Sequence, residues 1–375
     1  MVLLLEQLEQ RFLEIAPENR FRVNKLPNFP SDIDKTISKG SARTDVAMLA
    51  KLLIQAYGGW PFYSKLLRRK ILTVLSRIYN SISGPIKIRE LYEQLKSIVA
   101  MMPDRHIMIG ADKNPAINME LPINIGDNLV KSRNINKPYL IEKRGRIGII
   151  AISRFFAPDD TDDLEHIRQR VLDIMSGTDA IIIDLRNNGG GSMHIASMLG
   201  KTLSGYDWIP RSRRMFTRNT PLARKLHQYI TDFPAIKNIP NNAKDPVMIV
   251  DNSKFKMPRN HKWAFSGDIY ILVNNRSASS SETVIEYLKY NPHTKLIGTH
   301  TSGCNQYVHY RFIELLGSGI HVRLPLVYKE VSHVKSQKFE MHGYTPDIEC
   351  ESSTDAMDLA LTEANKNLIA KNMCH

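Results

Sequence analysis

Cysteine is scarce in this sequence of 375 residues, and so are long apolar runs. The three cysteines, Cys304, Cys350 and Cys374, are too few and too scattered for a disulfide framework or a paired-cysteine metal site. No run approaches the roughly 18 apolar residues that cross a bilayer, and no His-Glu-x-x-His motif is present. These absences exclude a disulfide scaffold, and we expect no membrane span, no metal and no cofactor.

The N-terminus lacks the features of a cleavable signal peptide. Its apolar stretch is shorter than a signal core, meets Glu6 at once and has no basic flank before it. We therefore expect a cytoplasmic protein, or one that is exported without a recognisable cleavable signal.

Acidic residues are fewer than basic ones. The chain has 38 aspartates and glutamates and 51 lysines and arginines, so its net charge is +13. Such an excess suggests a nucleic acid or another polyanion as partner. However, the dense basic runs at residues 65–70 and 211–214 contain none of the interleaved aromatic residues that stack on bases. The pattern favours solvated basic faces, so we expect no nucleic acid partner, and the charge raises the hypothesis of acidic substrates.

The first 105 residues have the periodicity of helices. Apolar residues recur three and four positions apart, as in Val46, Leu49 and Leu53, and no alternation typical of strands is present. We predict a helical N-terminal domain over residues 1–105, followed by an α/β domain over residues 106–375.

Beyond residue 145 the pattern changes to short apolar runs rich in β-branched residues, which is typical of strands buried on both faces. Helical stretches separate these runs, so the order predicts crossover connections and an α/β core. The predicted strands are residues 147–152, 180–184, 247–250 and 269–273. A hairpin over residues 310–328 and a closing helix over residues 354–371 complete the order.

A hydroxyl-rich stretch, Ser277-Ala-Ser-Ser-Ser281, separates an apolar strand from a helix and is called the serine turn below. A serine at a helix N-terminus meets free N–H groups and the helix dipole, which stabilise an alkoxide or oxyanion. The alternative is a purely structural N-cap, with Glu282 closing a capping box. The turn alone leaves both interpretations open.

A second stretch, Asp184-Leu-Arg-Asn-Asn-Gly-Gly-Gly-Ser192, follows a predicted buried strand and is called the glycine turn. Consecutive glycines let a backbone approach a ligand and turn its N–H groups inward, as an oxyanion hole requires. A flexible turn and a phosphate loop are the alternatives. The glycine spacing and terminal lysine of a phosphate loop are absent, which weakens that alternative.

Together the two turns, roughly 90 residues apart, resemble those of the C-terminal processing or tail-specific serine peptidases and their relatives in the tricorn protease core. The resemblance implies an α/β core of the ClpP/crotonase-like spiral type. It also implies that Ser279, three positions before Glu282, is the nucleophile. The backbone N–H of Ser280, with that of Gly189 or Gly190, would then form the oxyanion hole.

Members of this family differ in their general base. One branch has a lysine 25 residues after the nucleophile, where this chain has Cys304. The other branch has a histidine from an upstream Asp-x-His segment and a late glutamate, which correspond here to His106 and Glu340. The resemblance therefore implies His106 as base and Glu340 as its support, with Arg105 in place of the serine that precedes the tricorn histidine. The rival bases are His194, His300 and His342.

The peptide-reading PDZ module of tail-specific peptidases has no room in this chain, because only about 38 residues separate His106 from the strand that begins near Arg146. The sequence thus predicts a PDZ-lacking serine endopeptidase that cleaves a peptide or protein substrate through a Ser279 acyl-enzyme. Two alternatives stay open. One is a non-catalytic module that binds a peptide or an apolar ligand, and the other is an esterase or amidase for small substrates.

Overall fold

The computed structural model describes residues 4–18, 20–24, 30, 32–110, 138–155, 161–206, 214–230, 233–252, 262–330, 339–350 and 353–373. Three features named above lie wholly or mostly outside these ranges. They are the basic run at 211–214, Cys374 and the segment that is predicted to lack a PDZ module. The helices are α1 Leu5–Ile15, α2 Lys39–Gln55, α3 Lys65–Ser81, α4 Ile88–Val99, α5 Thr161–Ser176, α6 Met193–Ser204, α7 Pro221–His227, α8 Ser280–Leu288 and α9 Ser353–Met373. In this described part of the chain, no helix combines the length and apolar character that crossing a membrane requires.

The strands complete the secondary structure. They are β1 Phe21–Asn24, β2 Thr36–Ile37, β3 Ile86–Lys87, β4 Met108–Gly110, β5 Tyr139–Arg144, β6 Ile147–Ile152, β7 Ala180–Asp184, β8 Arg214–Thr217, β9 Val247–Asp251, β10 Asp268–Val273, β11 Thr294–Gly298, β12 Tyr307–Leu315, β13 His321–Lys329 and β14 Ile348–Glu349. The predicted hairpin is confirmed, because β12 and β13 pair as antiparallel neighbours.

The chain forms two compact units, each assembled from segments that are not consecutive in sequence. The first unit comprises Met1–Leu121, Arg213–Asp251 and Gln306–Val331. The second unit comprises Pro122–Ser212, Asn252–Asn305 and Ser332–His375. The N-terminal helices therefore share a unit with strands from late in the chain. The boundary after residue 105, as a limit between independently folding domains, stays a prediction.

The first unit combines the predicted helical region with an antiparallel sheet in the order β1-β12-β13-β8-β9, and β4 also pairs with β13. Apolar faces of α1 to α4 pack on this sheet in one core. The expectation that residues 1–105 contain no strand was wrong, since β1 pairs with β12 and β2 with β3. The partner of Phe21 is Leu315, and pairing over that sequence distance leaves little local signal.

The apolar run at residues 247–250 is a strand, but its predicted place in the α/β core was wrong. It forms β9 at the edge of the first unit's antiparallel sheet, where it pairs with β8. Met248 is 45% exposed, as an edge position allows. A short apolar run cannot by itself distinguish a half-buried edge strand from a fully buried one.

The second unit has the predicted α/β core, built on a sheet in the order β14-β11-β10-β7-β6-β5. Neighbours are parallel except for the β5–β6 pair. Every residue of β7 is buried, which agrees with its continuous apolar sequence. Because Asp184 pairs with Leu272, the glycine turn and the serine turn leave neighbouring parallel strands at the same edge of the sheet.

Candidate active site

The glycine turn is held by its own polar side chains. Arg186 donates to both carboxylate oxygens of Asp184, each at 2.9 Å, and both side chains are buried. Asn187, which has a φ of 61°, exchanges two hydrogen bonds of 3.0 Å with Asn274 beside the serine turn. Asn188 donates from Nδ2 to the carbonyl of Ile152 at 2.9 Å. The turn is therefore a fixed structure rather than the flexible alternative.

Gly190 packs directly against the predicted nucleophile. Its φ is 103°, and a Cβ at this position would lie 2.8 Å from the Cβ of Ser279. Glycine is thus required both by the backbone conformation and by the approach of the serine turn. The N–H of Gly190 donates to Asn188 Oδ1 at 2.8 Å. Of the two glycines predicted as oxyanion donors, Gly190 has its N–H already engaged.

Three hydroxyls of the serine turn bind the glycine turn. Ser277 donates to the carbonyl of Leu185 at 2.8 Å, Ser280 to that of Gly191 at 2.9 Å, and Ser281 to that of Asn188 at 2.8 Å. All three serines are at most 1% exposed. These contacts satisfy buried carbonyls and fix the two turns together, which is a structural role.

Ser279 differs from its neighbours in both conformation and exposure. It precedes α8 as the N-cap residue, with φ 55° and ψ −111°, and it is partly exposed. Such a backbone conformation costs a non-glycine residue about 1–3 kcal/mol and occurs where a strand-to-helix turn presents a nucleophile. The predicted N-cap and the predicted nucleophile therefore coincide in one residue.

Glu282 connects the serine turn to the segment that follows β11. Its carboxylate accepts hydrogen bonds from the N–H of Ser279 at 3.2 Å, the hydroxyl of Thr301 at 2.6 Å, and the N–H groups of Gly303 and Cys304 at 2.7 and 2.8 Å. Burial raises the pKa of this fully buried carboxyl, and the four donors oppose that rise. The predicted capping contact with Ser279 is thus one of the four hydrogen bonds that this carboxylate accepts.

Glu340 lies in the second unit, 3% exposed, and accepts a hydrogen bond from the N–H of Asn305 at 3.2 Å. A carboxylate oxygen of Glu340 lies within 4.8 Å of Cys304 Sγ. The next residue, Met341, donates its N–H to the carbonyl of Gly303 at 2.8 Å. The segment around Glu340 is therefore bound to the same stretch that contacts Glu282.

The rival histidines of the second unit lie in open positions. His300 contacts the carbonyl of Thr301 through Nδ1 at 2.9 Å, and His342 contacts that of Glu340 at 3.3 Å. Both are exposed, and so is His194 at the start of α6. Among the described residues, none of these three rings forms a hydrogen bond with a carboxylate, which is what orients a general base.

His106 belongs to the first unit, where it follows α4 and is 5% exposed. Asp104 fixes the backbone here, because its Oδ1 accepts the N–H of His106 at 2.7 Å and that of Ile107 at 3.2 Å. The other oxygen of Asp104 accepts the hydroxyl of Tyr57 at 2.8 Å. The aspartate of the Asp-x-His segment therefore shapes the backbone of residues 104–107, which are called the histidine loop below.

Arg323 holds the same loop from β13. Its guanidinium donates to the carbonyl of His106 at 2.5 Å and to that of Arg105 at 3.2 Å, and the His106 ring stacks on Tyr310 with 5.9 Å between centroids. Burial, followed by the charges of Arg323 and Lys329, lowers the pKa of His106 to about 3. The imidazole is therefore neutral at physiological pH, as a proton acceptor must be.

Family comparison agrees with this geometry. The sequence matches the Peptidase family S41 over residues 146–350. The chain belongs to Peptidase family S41. It is accordingly a serine peptidase, and the resemblance to C-terminal processing peptidases drawn from the two turns is confirmed. The match begins beside β6 and ends just after β14, so it covers both turns and the Glu340 segment.

Solved structures share the fold of this S41 peptidase at low sequence identity. A lipoprotein from Streptococcus agalactiae is 17% identical, with a TM-score of 0.51 over 92% of this chain and 99% of the other. A candidate peptidase from Parabacteroides merdae is 16% identical, with a TM-score of 0.51 over 84% of this chain and 92% of the other. Comparison with curated protein sequences gives no match.

Sequence patterns did not predict the roles of three residues that shape the candidate site. Asn188 engages the N–H of Gly190, Asp104 caps the histidine loop, and Arg323 holds that loop from a distant strand. Asp104 had a readable signal, since an aspartate two residues before a turn residue commonly accepts its N–H. Arg323 had none, because its contact depends on strand pairing.

Proposed function

We propose that this S41 peptidase is an endopeptidase in which Ser279 attacks a peptide carbonyl and forms an acyl-enzyme. The serine hydroxyl loses its proton to His106, which then protonates the leaving amine. Water, activated by the same imidazole, attacks the ester and releases the second product with regeneration of Ser279. The observation that carries this proposal is the positive φ of Ser279 at the N-terminus of α8, with Gly190 packed against its Cβ.

The oxyanion of the tetrahedral intermediate is assigned to two backbone donors, the N–H groups of Ser280 and Gly189. Ser280 is the first residue of α8, where the helix dipole favours negative charge. Gly189 is preferred to Gly190, since the N–H of Gly190 is bound to Asn188. In this assignment Gly190 leaves room for the side chain of Ser279, and the N–H of Gly189 donates to the oxyanion.

The role of Glu340 follows from the charge around His106. A pKa of about 3 makes a weak base, and both charged groups responsible, on Arg323 and Lys329, are cations. The imidazolium formed during acylation therefore needs an anion. Glu340 is a buried carboxylate at the family's glutamate position, and we assign it that task.

A fluorophosphonate probe tests the nucleophile without knowledge of the substrate, because it reacts with an activated serine hydroxyl. We expect the parent protein to be labelled at Ser279, as located by peptide mass mapping, and Ser279→Ala to lose labelling. The matched control is Ser281→Ala, which removes a buried hydroxyl of the same turn and should retain the label. Labelling at another serine, or none in the folded parent, would contradict the proposal.

A further inference from the structure

Helices α5 and α6 of the second unit border a groove of about 440 Å³. Its basic side chains are Arg168 from α5 and His194 and Lys201 from α6, and all three are exposed. Tyr206 and Leu164 add apolar surface, and both are partly buried. None of the described residues that line the groove is acidic. The groove is therefore a cationic surface with apolar walls.

The sequence of α6 explains why this face is open. Its apolar residues Ile195, Leu199 and Leu203 are buried on the opposite side of the helix. Gly200 faces α8 so closely that a Cβ there would lie 2.4 Å from the ring of Tyr287. One side of α6 is thus committed to α8, and the remaining side presents Lys201 to solvent.

The charges of the groove are compensated only weakly. Arg168 pairs with Glu165 at 2.8 Å, but both side chains are exposed, at 45% and 65%, and such a pair contributes little. No ion pair of Lys201 occurs among the described residues. A carboxylate placed in the groove would therefore meet two cations without first breaking a strong internal pair.

The groove starts close to the proposed nucleophile. Gly190 contacts Ser279, and His194 follows it by four residues, which span at most about 14 Å. Thr283, in the first half of α8, donates its hydroxyl to Met193 Sδ at 3.5 Å, which ties the start of α6 to the helix that Ser279 caps. From His194 to Gly205 the helix rises about 16 Å, the length of roughly five extended residues.

We propose that this groove binds an acidic segment of the peptide substrate, with aspartate or glutamate side chains paired to Arg168 and Lys201. The inference rests on the proposed function for its biological meaning, since the segment would lie a few residues from the bond that Ser279 attacks. The apolar groups of Tyr206 and Leu164 would pack on the backbone and Cβ atoms between the acidic residues. Electrostatic pairing of this kind gives selectivity and fast association.

The test uses the uncleaving Ser279→Ala protein and fluorescein-labelled decapeptides with alternating Glu and Gly, Gln and Gly, or Lys and Gly. Fluorescence anisotropy should show the Glu peptide binding about ten-fold or more tighter than the other two at low salt, and weakening at high salt. A single-stranded oligonucleotide serves as a further probe. Equal binding of the Glu and Gln peptides, or tighter binding of the oligonucleotide, would overturn the proposal.

Charge reversal places the binding in the groove. Arg168→Glu combined with Lys201→Glu should weaken binding of the Glu peptide about ten-fold or more. The control, Lys143→Glu combined with Lys366→Glu, makes the same change in net charge on β5 and α9 and should leave binding within about two-fold. Equal losses in both variants would overturn the proposal. Anisotropy measures peptide binding and needs no reactive serine. A groove that does not bind the peptide is therefore distinguished from a Ser279 that does not react with the fluorophosphonate probe.

Discussion

The serine turn and the histidine loop are built in different ways. The serine turn is fixed by short contacts to the glycine turn, from hydroxyls to carbonyls at the ends of two adjacent parallel strands. The histidine loop is fixed by side chains from remote parts of the chain, with Tyr57 on one side and Arg323 on the other. The geometry of the proposed nucleophile is therefore encoded in two short motifs, whereas that of the proposed base depends on the packing of a whole unit.

The two regions also differ in electrostatics. Near Ser279 the buried charge is the carboxylate of Glu282, which accepts four hydrogen bonds. At His106, burial and then the positive charges of Arg323 and Lys329 hold the pKa of the imidazole down. If the contrast is correct, displacing Ser279 should act mainly on reactivity, and changing the side chains that hold the histidine loop should act mainly on stability and its pH dependence.

The largest effect is expected from Gly190→Ala. The added Cβ would meet the Cβ of Ser279 at 2.8 Å in a conformation that L residues rarely adopt, so Ser279 must shift. Displacement of about 1 Å costs roughly 100-fold in rate, and we expect fluorophosphonate labelling to slow by at least that factor. Gly145→Ala is the control, because Gly145 also has a positive φ but open space around it. Equal slowing in both variants would contradict this account.

Glu282→Gln should have the next largest effect. The amide group of glutamine presents an NH₂ where the carboxylate accepts hydrogen bonds, so at least one buried N–H loses its partner. We expect about 2–4 kcal/mol less stability in urea unfolding and about ten-fold slower labelling. Thr301→Val removes one donor to the same carboxylate and also the acceptor of the buried Tyr344 N–H, so it should cost about 1–3 kcal/mol. A Glu282→Gln protein as stable as the parent would refute the role of this carboxylate.

Asp104→Asn tests the histidine loop through pH. Burial raises the pKa of Asp104 to about 7, so its contribution to stability is present below the unfolded value near 3.8 and is lost as pH rises through 7. Between pH 5 and pH 8 the parent should lose about 2–3 kcal/mol more than Asp104→Asn in urea unfolding. Asp34→Asn, at an exposed surface pair, should follow the parent. Identical pH profiles for the parent and Asp104→Asn would show that this carboxyl does not titrate in that range.

The smallest effect is expected from Tyr57→Phe. It removes the hydroxyl that donates to Asp104 and contacts Tyr63, at a cost of about 1–2 kcal/mol in unfolding free energy. Tyr92→Phe changes a partly exposed ring on α4 and should be neutral. A loss in Tyr92→Phe as large as that in Tyr57→Phe would remove the distinction between buried and exposed hydroxyls.

Sequence patterns predicted the local motifs of this protein better than the contacts between distant segments. The strands β6, β7 and β10 and both turns could be read from local patterns, because buried parallel strands and glycine turns carry their own signals. The place of β9 at a sheet edge and the pairing of β1 with β12 could not. Both depend on which distant segments of the chain become neighbours.

The central claim is that Ser279 and His106 act as nucleophile and base of one reaction. The most direct measurement is the rate constant for fluorophosphonate labelling of Ser279 in His106→Ala, with His342→Ala as the control for loss of a histidine. General base catalysis is worth about 100-fold or more, so His106→Ala should slow labelling by at least that factor while His342→Ala stays within about two-fold of the parent. A His106→Ala protein that is folded and labelled at the parental rate would contradict the account.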